Sequence, residues 1–364
     1  MPFLRLSDIF KERVHRIQIM NKRLFGLQDV SKARNFIYGI AIIWIMFFHC
    51  GLRPVTATFN LIKGYGDCGV EIFFFLSGVC LFYSYDKDRN PLTFYKRRFL
   101  KILPPYLIVY DVVFIVTDLV PNFNIGQFLL DYSLLDFWIN GLGRAPWFVA
   151  AIIVFYLAYP LIYNLFFGET KNRAGKLIVF FTVVIVLSLI LIAYFPHLNI
   201  FTIRIPIFIS GCFLGKFVHD DYGVKPWHLL LLAALFGGSL ALFLTFRNIW
   251  WLRNLFFAFL TVSLILVLSG LYKLFNRFVP ILNRPFIFLG GLTLEIYLCH
   301  EKIQESFFHI LQWFNVGADF GDEWYQWLCI ASAVLVSVGV RALVREFLSL
   351  SKKIGERKKS KEID

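Results

Sequence analysis

Arg34-Asn-Phe-Ile-Tyr-Gly-Ile-Ala-Ile-Ile-Trp-Ile-Met-Phe-Phe-His49 and Gly69-Val-Glu71-Ile-Phe-Phe-Phe-Leu-Ser77-Gly78 are the two stretches that decide the fold. Each is apolar enough to lie in a bilayer, yet each carries an ionisable side chain within its apolar sequence. Such a group is costly in hydrocarbon and reads first as functional. The rest of the chain has the same character: 58% of residues are hydrophobic, 19% are aromatic, and the mean hydropathy is +0.67. That composition excludes a soluble globular domain. Apolar runs near 36–52, 69–85, 103–120, 147–166, 177–195, 200–218, 228–245, 252–274, 285–304 and 327–348 predict an all-α polytopic transmembrane bundle of about ten helices of about 20 residues each.

The distribution of charge predicts the topology. Lys11, Arg13, Arg16, Lys22, Arg23, Lys32 and Arg34 precede the first helix, Lys96, Arg97, Arg98 and Lys101 follow the second, and Lys352, Lys353, Arg357, Lys358, Lys359 and Lys361 crowd the tail. Basic segments alternate with loops that are nearly uncharged or, as at Asp319, Asp322 and Glu323, acidic. The positive-inside rule then places both termini in the cytoplasm of a multi-pass protein of the cell membrane. The net charge of +13, from 37 basic and 24 acidic residues, is mostly this asymmetry. Its expected counterions are anionic lipid headgroups, not nucleic acid.

Residues 1–33 read as an interfacial amphipathic segment. Charges interrupt the apolar positions, and no small-residue cleavage site follows, so a secretory signal is not expected. Residues 34–350 form one membrane domain, and 351–364 a basic cytoplasmic tail. The six cysteines show no paired or metal-binding spacing, so buried free thiols are expected. No motif suggests a zinc site, a nucleotide loop or a redox group; the expectation is no metal and no permanently bound cofactor.

From Arg34 to His49 a helix rises about 22 Å. That places Arg34 near the cytoplasmic face, His49 in the outer half of the membrane, and Glu71 at similar depth on the returning helix. An imidazole and a carboxylate so placed have the minimum arrangement for a base and its orienting partner. The plainer reading is a histidine hydrogen-bonded inside the bundle and a carboxylate at the interface. Ser77 and Gly78 offer a place for close approach of a ligand or, more simply, of another helix. Arg97, Arg98 and Lys101 form a basic cluster able to hold phosphates, and a purely topogenic role fits them equally. Trp147, Arg144 and Arg204 supply aromatic and cationic groups toward the outer side. Glu295 and His300 read as structural partners within the bundle, a proton relay being the alternative.

Six motifs occur in order: the His-terminated first helix; Gly-Val-Glu-Ile-Phe-Phe-Phe-Leu-Ser-Gly; Arg-Arg-Phe-Leu-Lys-Ile-Leu-Pro; Trp147-Phe148 leading to Tyr159-Pro160; Arg204-Ile-Pro206-Ile-Phe208-Ile-Ser-Gly211; and Leu294-Glu295-Ile-Tyr297-Leu298-Cys-His300. Their succession resembles the membrane acyltransferase family 3 over almost the full chain. The resemblance implies transfer of an acyl group, usually acetyl from acetyl-CoA, onto a hydroxyl of a cell-surface glycan or its lipid-linked precursor. Carried over by residue, His49 matches the family's catalytic histidine and Glu71 the acidic residue before its Phe-Phe-x-x-Ser-Gly motif, here Phe73, Phe74, Ser77 and Gly78. Arg98 and Lys101 match an Arg-x-x-Arg pair, which implies a place for the donor's phosphates; Lys101 keeps the charge without the planar fork.

A second departure is Tyr38, which stands where the family commonly has a basic residue. Arg34, one turn earlier, presents a cation from the same face. The resulting expectation is an acyl-CoA donor gripped by Arg98, Lys101, Arg97 and Arg34 with Ser77 along its path, an acceptor saccharide near Trp147, Arg204 and Arg144, and His49 as general base, an acyl-histidine intermediate being the alternative. The rival from another class is an exporter of a polysaccharide or small metabolite, which predicts inverted repeats and paired helix breaks.

Overall fold

In a computed structural model the described residues are 26–53, 56–117, 124–143, 146–168, 171–314, 317 and 321–361, and they contain helices, turns and no strands. The amphipathic segment expected over residues 1–33 lies mostly outside them, as do Arg144, Asp319 and the last residues of the tail. The long helices are α1 (Gln28–His49), α2 (Gly69–Asp86), α3 (Pro91–Thr117), α4 (Trp147–Phe167), α5 (Arg173–Tyr194), α6 (Ile205–His219), α7 (Pro226–Thr245), α8 (Trp250–Phe278), α9 (Asn283–Gly291), α10 (Thr293–Trp313) and α11 (Glu323–Lys361).

Eight helical segments among the described residues are long and apolar enough to span a membrane, and α9 with α10 makes a ninth if that pair, bent by 73°, counts as one span. Two of the ten expected runs differ from simple spans, and a third, at 200–218, is interrupted between Thr202 and Ile205. The run at 103–120 belongs to α3, which starts earlier and includes Lys96, Arg97, Arg98 and Lys101 within the helix itself. The run at 285–304 is broken at Leu292 instead of crossing straight. Pro104 and Pro105 lie inside α3, which continues across them, so they do not supply the helix break that an exporter would use. Gly237 and Gly238 likewise sit within α7.

The bundle has an inner and an outer shell. In α2, 78% of the spanning window is buried within the protein, whereas in α5 the share is 0%. An apolar helix left this exposed by its own chain suits a hydrocarbon surround. The inner contacts rest on glycines. A Cβ placed on Gly211 would fall 2.0 Å from the Phe75 carbonyl oxygen, and one on Gly78 would fall 2.4 Å from that of Phe208. Helices α2 and α6 therefore touch backbone to backbone, Gly211 and Gly215 forming a small-xxx-small seam. The same device joins α1 to α9, where a Cβ on Gly290 would meet the Asn35 carbonyl oxygen at 1.7 Å and one on Gly39 would meet that of Phe286 at 2.0 Å. Seating α9 this closely on α1 fixes its path, and the chain turns sharply at Leu292 before α10 begins. Aromatic rings fill the remaining space, as where Phe155 stacks on Phe208 with centroids 4.2 Å apart.

Candidate functional site

The last turn of α1, the short helical turn leading into α2, the start of α4, the segment before α6 and the middle of α10 surround a cavity of about 390 Å³. That volume suits a small organic ligand. Its wall includes His49, Glu301, Arg204, Trp147, Tyr106 and Trp250.

His49 ends α1, with its Nδ1 2.6 Å from Oε1 of Glu301. Both side chains reach the open part of the cavity, 33% and 57% exposed respectively. A carboxylate on Nδ1 fixes the tautomer with the proton on that nitrogen and leaves Nε2 with its lone pair, the form a general base needs. His300 packs beside this pair with ring centroids 5.1 Å apart.

The carboxylate attending His49 is thus not Glu71. Glu71 is buried with Arg204, Nη2 to Oε1 at 3.2 Å, with both side chains no more than 2% exposed. Inside a bilayer a carboxylate without a cation is too costly to retain, so the guanidinium held closest takes it. Arg204 also donates from Nη1 to the Ile200 carbonyl at 2.6 Å and lies over the Trp147 ring at 4.9 Å. Its position at the break between Asn199–Thr202 and α6 lets it reach the cavity wall while bound to Glu71 behind. Of the residues expected near the acceptor, Trp147 and Arg204 line the cavity, and Arg144 lies outside the described residues, between the lining residues Gly143 and Pro146.

A second cavity, of about 90 Å³, is lined by Tyr38, Ser77, Lys101, Phe148, Tyr156 and Tyr297 among others. Tyr297 lines both cavities and packs against Phe148 with centroids 5.2 Å apart, forming a partition between them. Arg34 lines a third cavity with Cys80 and Tyr83 and donates toward the Cys80 sulfur at 3.7 Å. Lys101 lies within electrostatic reach of Arg98 and Arg34, so three of the four predicted cations converge at the Arg34 end. Arg98 rests on the rings of Phe94 and Tyr156, 5.6 and 5.7 Å from their centroids. Arg97 does not join them: it pairs with Asp88 at 3.4 Å and donates to the Ser84 carbonyl at 3.1 Å, on the exposed turn. Ser77 lines the middle cavity, while its neighbour Gly78 serves helix packing against α6.

Glu301 is a cavity residue that the motif ending at His300 does not include. The signal was present in the adjacent His-Glu pair, which follows apolar helix and stands one turn from Tyr297. Glu295 is a structural partner, gripped bidentately by Arg341 at 3.0 and 2.7 Å. Trp250 and Asp67 also line the main cavity. Asp67 is tied to Arg253 at 2.6 Å, which joins α8 to the turn before α2.

Residues 35–342 match the family model described as an acyltransferase domain, Acyl_transf_3. The chain is 30% identical over 112 residues to a protein named Acyltransferase MdmB from Streptomyces mycarofaciens, a match covering 28% of this chain and 29% of that relative's length. No solved structure matches the chain. The family model covers most of the chain, including the His49–Glu301 pair and the linings of the main and middle cavities, and the chain therefore belongs to the acyltransferase 3 family.

Proposed function

We propose that this protein is an integral O-acyltransferase of the cell membrane, and that it moves an acetyl group from acetyl-CoA to a hydroxyl of a surface glycan or its lipid-linked precursor. The observation that carries this reading is the His49–Glu301 contact, with Nδ1 and Oε1 2.6 Å apart on the wall of a ligand-sized cavity. Family membership and the name of that relative support acyl transfer. Nε2 of His49 takes the proton of the acceptor hydroxyl as its oxygen attacks the thioester carbonyl. The C–S bond then breaks, and the departing thiolate receives the proton from the imidazolium. Glu301 offsets the imidazolium charge while it lasts.

The donor's nucleotide phosphates rest on Arg98, Lys101 and Arg34. Its narrow arm runs past Ser77 and Tyr38 through the middle cavity and enters the main one beside Tyr297. Arg204 and Trp147, fixed by Glu71, orient the acceptor, with Tyr106 and Trp250 as ring-stacking surfaces. Glu71 is thus a positioning residue, a different role from the one its sequence position suggests.

The test compares ester-linked acetyl on the surface glycans of cells carrying the intact protein, His49→Ala or Arg98→Ala, at matched protein abundance in the membrane. Both variants are expected to lower acetyl content, His49→Ala to background. Equal acetyl content in all three would refute the enzyme, and failed export with acetylation intact would point to a transporter.

A further inference from the structure

His300 is nine-tenths buried and more, at 3% exposure, and is used by none of the steps above. Its Nδ1 lies 2.8 Å from the Tyr297 carbonyl and 3.1 Å from that of Ile296. Carbonyls only accept, so the proton sits on Nδ1 and Nε2 carries a lone pair. That Nε2 has no hydrogen-bond partner among the described residues. An imidazole pinned by a backbone carbonyl through one nitrogen and presenting the other unprotonated is the form in which histidine ligates a metal. The nearest groups complete a ligand set. One ligand atom each from His49, His300 and Glu301 lies within 4.8 Å of the others.

We propose that His49, His300 and Glu301 bind one divalent transition-metal ion of the zinc type, and that the ion takes the place of the proton shared by His49 and Glu301, so that metal occupancy and acyl transfer exclude each other. Two imidazoles and a carboxylate with a fourth position open to water form a set zinc accepts. Bringing the three ligand atoms to the usual bond lengths of about 2.0–2.2 Å requires side-chain movements of about 1 Å. The main cavity supplies the entry path, because His49 and Glu301 both face it. Sequence spacing conceals the site, since its ligands come from α1 and α10, far apart in the chain. The exclusion half of the proposal rests on His49 being the base; the site itself does not.

The experiment uses the full-length protein, free of any polyhistidine tag, purified in detergent, stripped with a chelator and titrated with Co²⁺. The expected result is one equivalent bound, with visible ligand-field absorption of a four-coordinate site that Zn²⁺ displaces. His300→Ala, and separately His300→Gln to keep a polar group in the buried space, should weaken binding by more than about tenfold, with unchanged size-exclusion profiles. No visible band at one equivalent, or the same band and affinity in both variants, overturns the site. So does a spectrum dominated by thiolate charge transfer, which would place the metal on cysteines.

In the same preparation, saturating Zn²⁺ should lower acyl transfer more than tenfold, reversibly on chelation, and full turnover with metal bound overturns the exclusion. Should the metal-free protein transfer no acyl group at all, the acyltransferase reading fails, while the cobalt spectrum still decides the metal site.

Discussion

Two glutamates in this molecule sit near the same cavity and have opposite surroundings. Glu71 is 1% exposed and ion-paired with Arg204, whereas Glu301 is 57% exposed and meets His49. The difference shows how a membrane protein divides its acidic residues between structure and chemistry. A carboxylate sealed in the bundle must keep a permanent cation beside it, and that cation fixes its orientation and ends its availability. A carboxylate bordering a water-accessible cavity carries no such penalty and can attend to a histidine whose charge rises and falls. Sequence position alone favours the first residue as catalytic, since it lies in the more apolar helix; solvation favours the second.

The contrast between the two glutamates bears first on turnover. His49→Ala should cut acyl transfer by roughly 10²–10⁴-fold with normal membrane abundance, measured as acetyl ester formed per unit of protein. If its activity stays within twofold, the assignment of the base is wrong. Next comes stability. Arg204→Ala leaves Glu71 buried and unpaired and should cost about 3–5 kcal/mol, read as a lower melting temperature in detergent and reduced abundance. Restoring apolar compatibility with Arg204→Met and Glu71→Leu together should recover most of the melting temperature. A double variant as unstable as the single one would show that the pair does more than neutralise itself.

Glu301→Gln should then lose about 10²-fold in turnover with the melting temperature unchanged, the converse of the Arg204 result. The smallest effect is expected at the far end, where Lys101→Ala removes one of three converging cations. It should raise the KM for acetyl-CoA by about tenfold, with kcat nearly preserved; Arg97→Ala, whose partner is Asp88, should leave that KM unchanged.

Much of this molecule is legible in its sequence, and the limits are physical. Helix after helix can be read from apolar runs because a bilayer demands about 20 such residues wherever a chain crosses it. His49 and the Arg98–Lys101 cluster stand out because charge in an apolar context is rare. Pairing is another matter. Glu71 and Arg204 lie on helices that meet only because Gly78 and Gly211 permit backbone contact, a fact visible in sequence as small residues but not as a partner choice. Glu301 is not singled out because a His-Glu-Lys run at the end of an apolar stretch reads equally as a solvated helix end, and the break at Leu292 is not read because 285–304 is apolar enough on average to pass as one span. The bend accompanies the tight seat of α9 on α1, visible in sequence only as the small pair Gly290-Gly291.

The most direct test of the central claim, that His49 and Glu301 act as one catalytic unit, is a double-mutant cycle on acyl-transfer rate using His49→Ala, Glu301→Gln and the combination, each normalised to folded protein. Residues working through one proton transfer are strongly non-additive, so the double variant should be no slower than His49→Ala alone. Losses that multiply, with Glu301→Gln slowing the His49→Ala protein by the same factor it slows the intact one, would contradict the account.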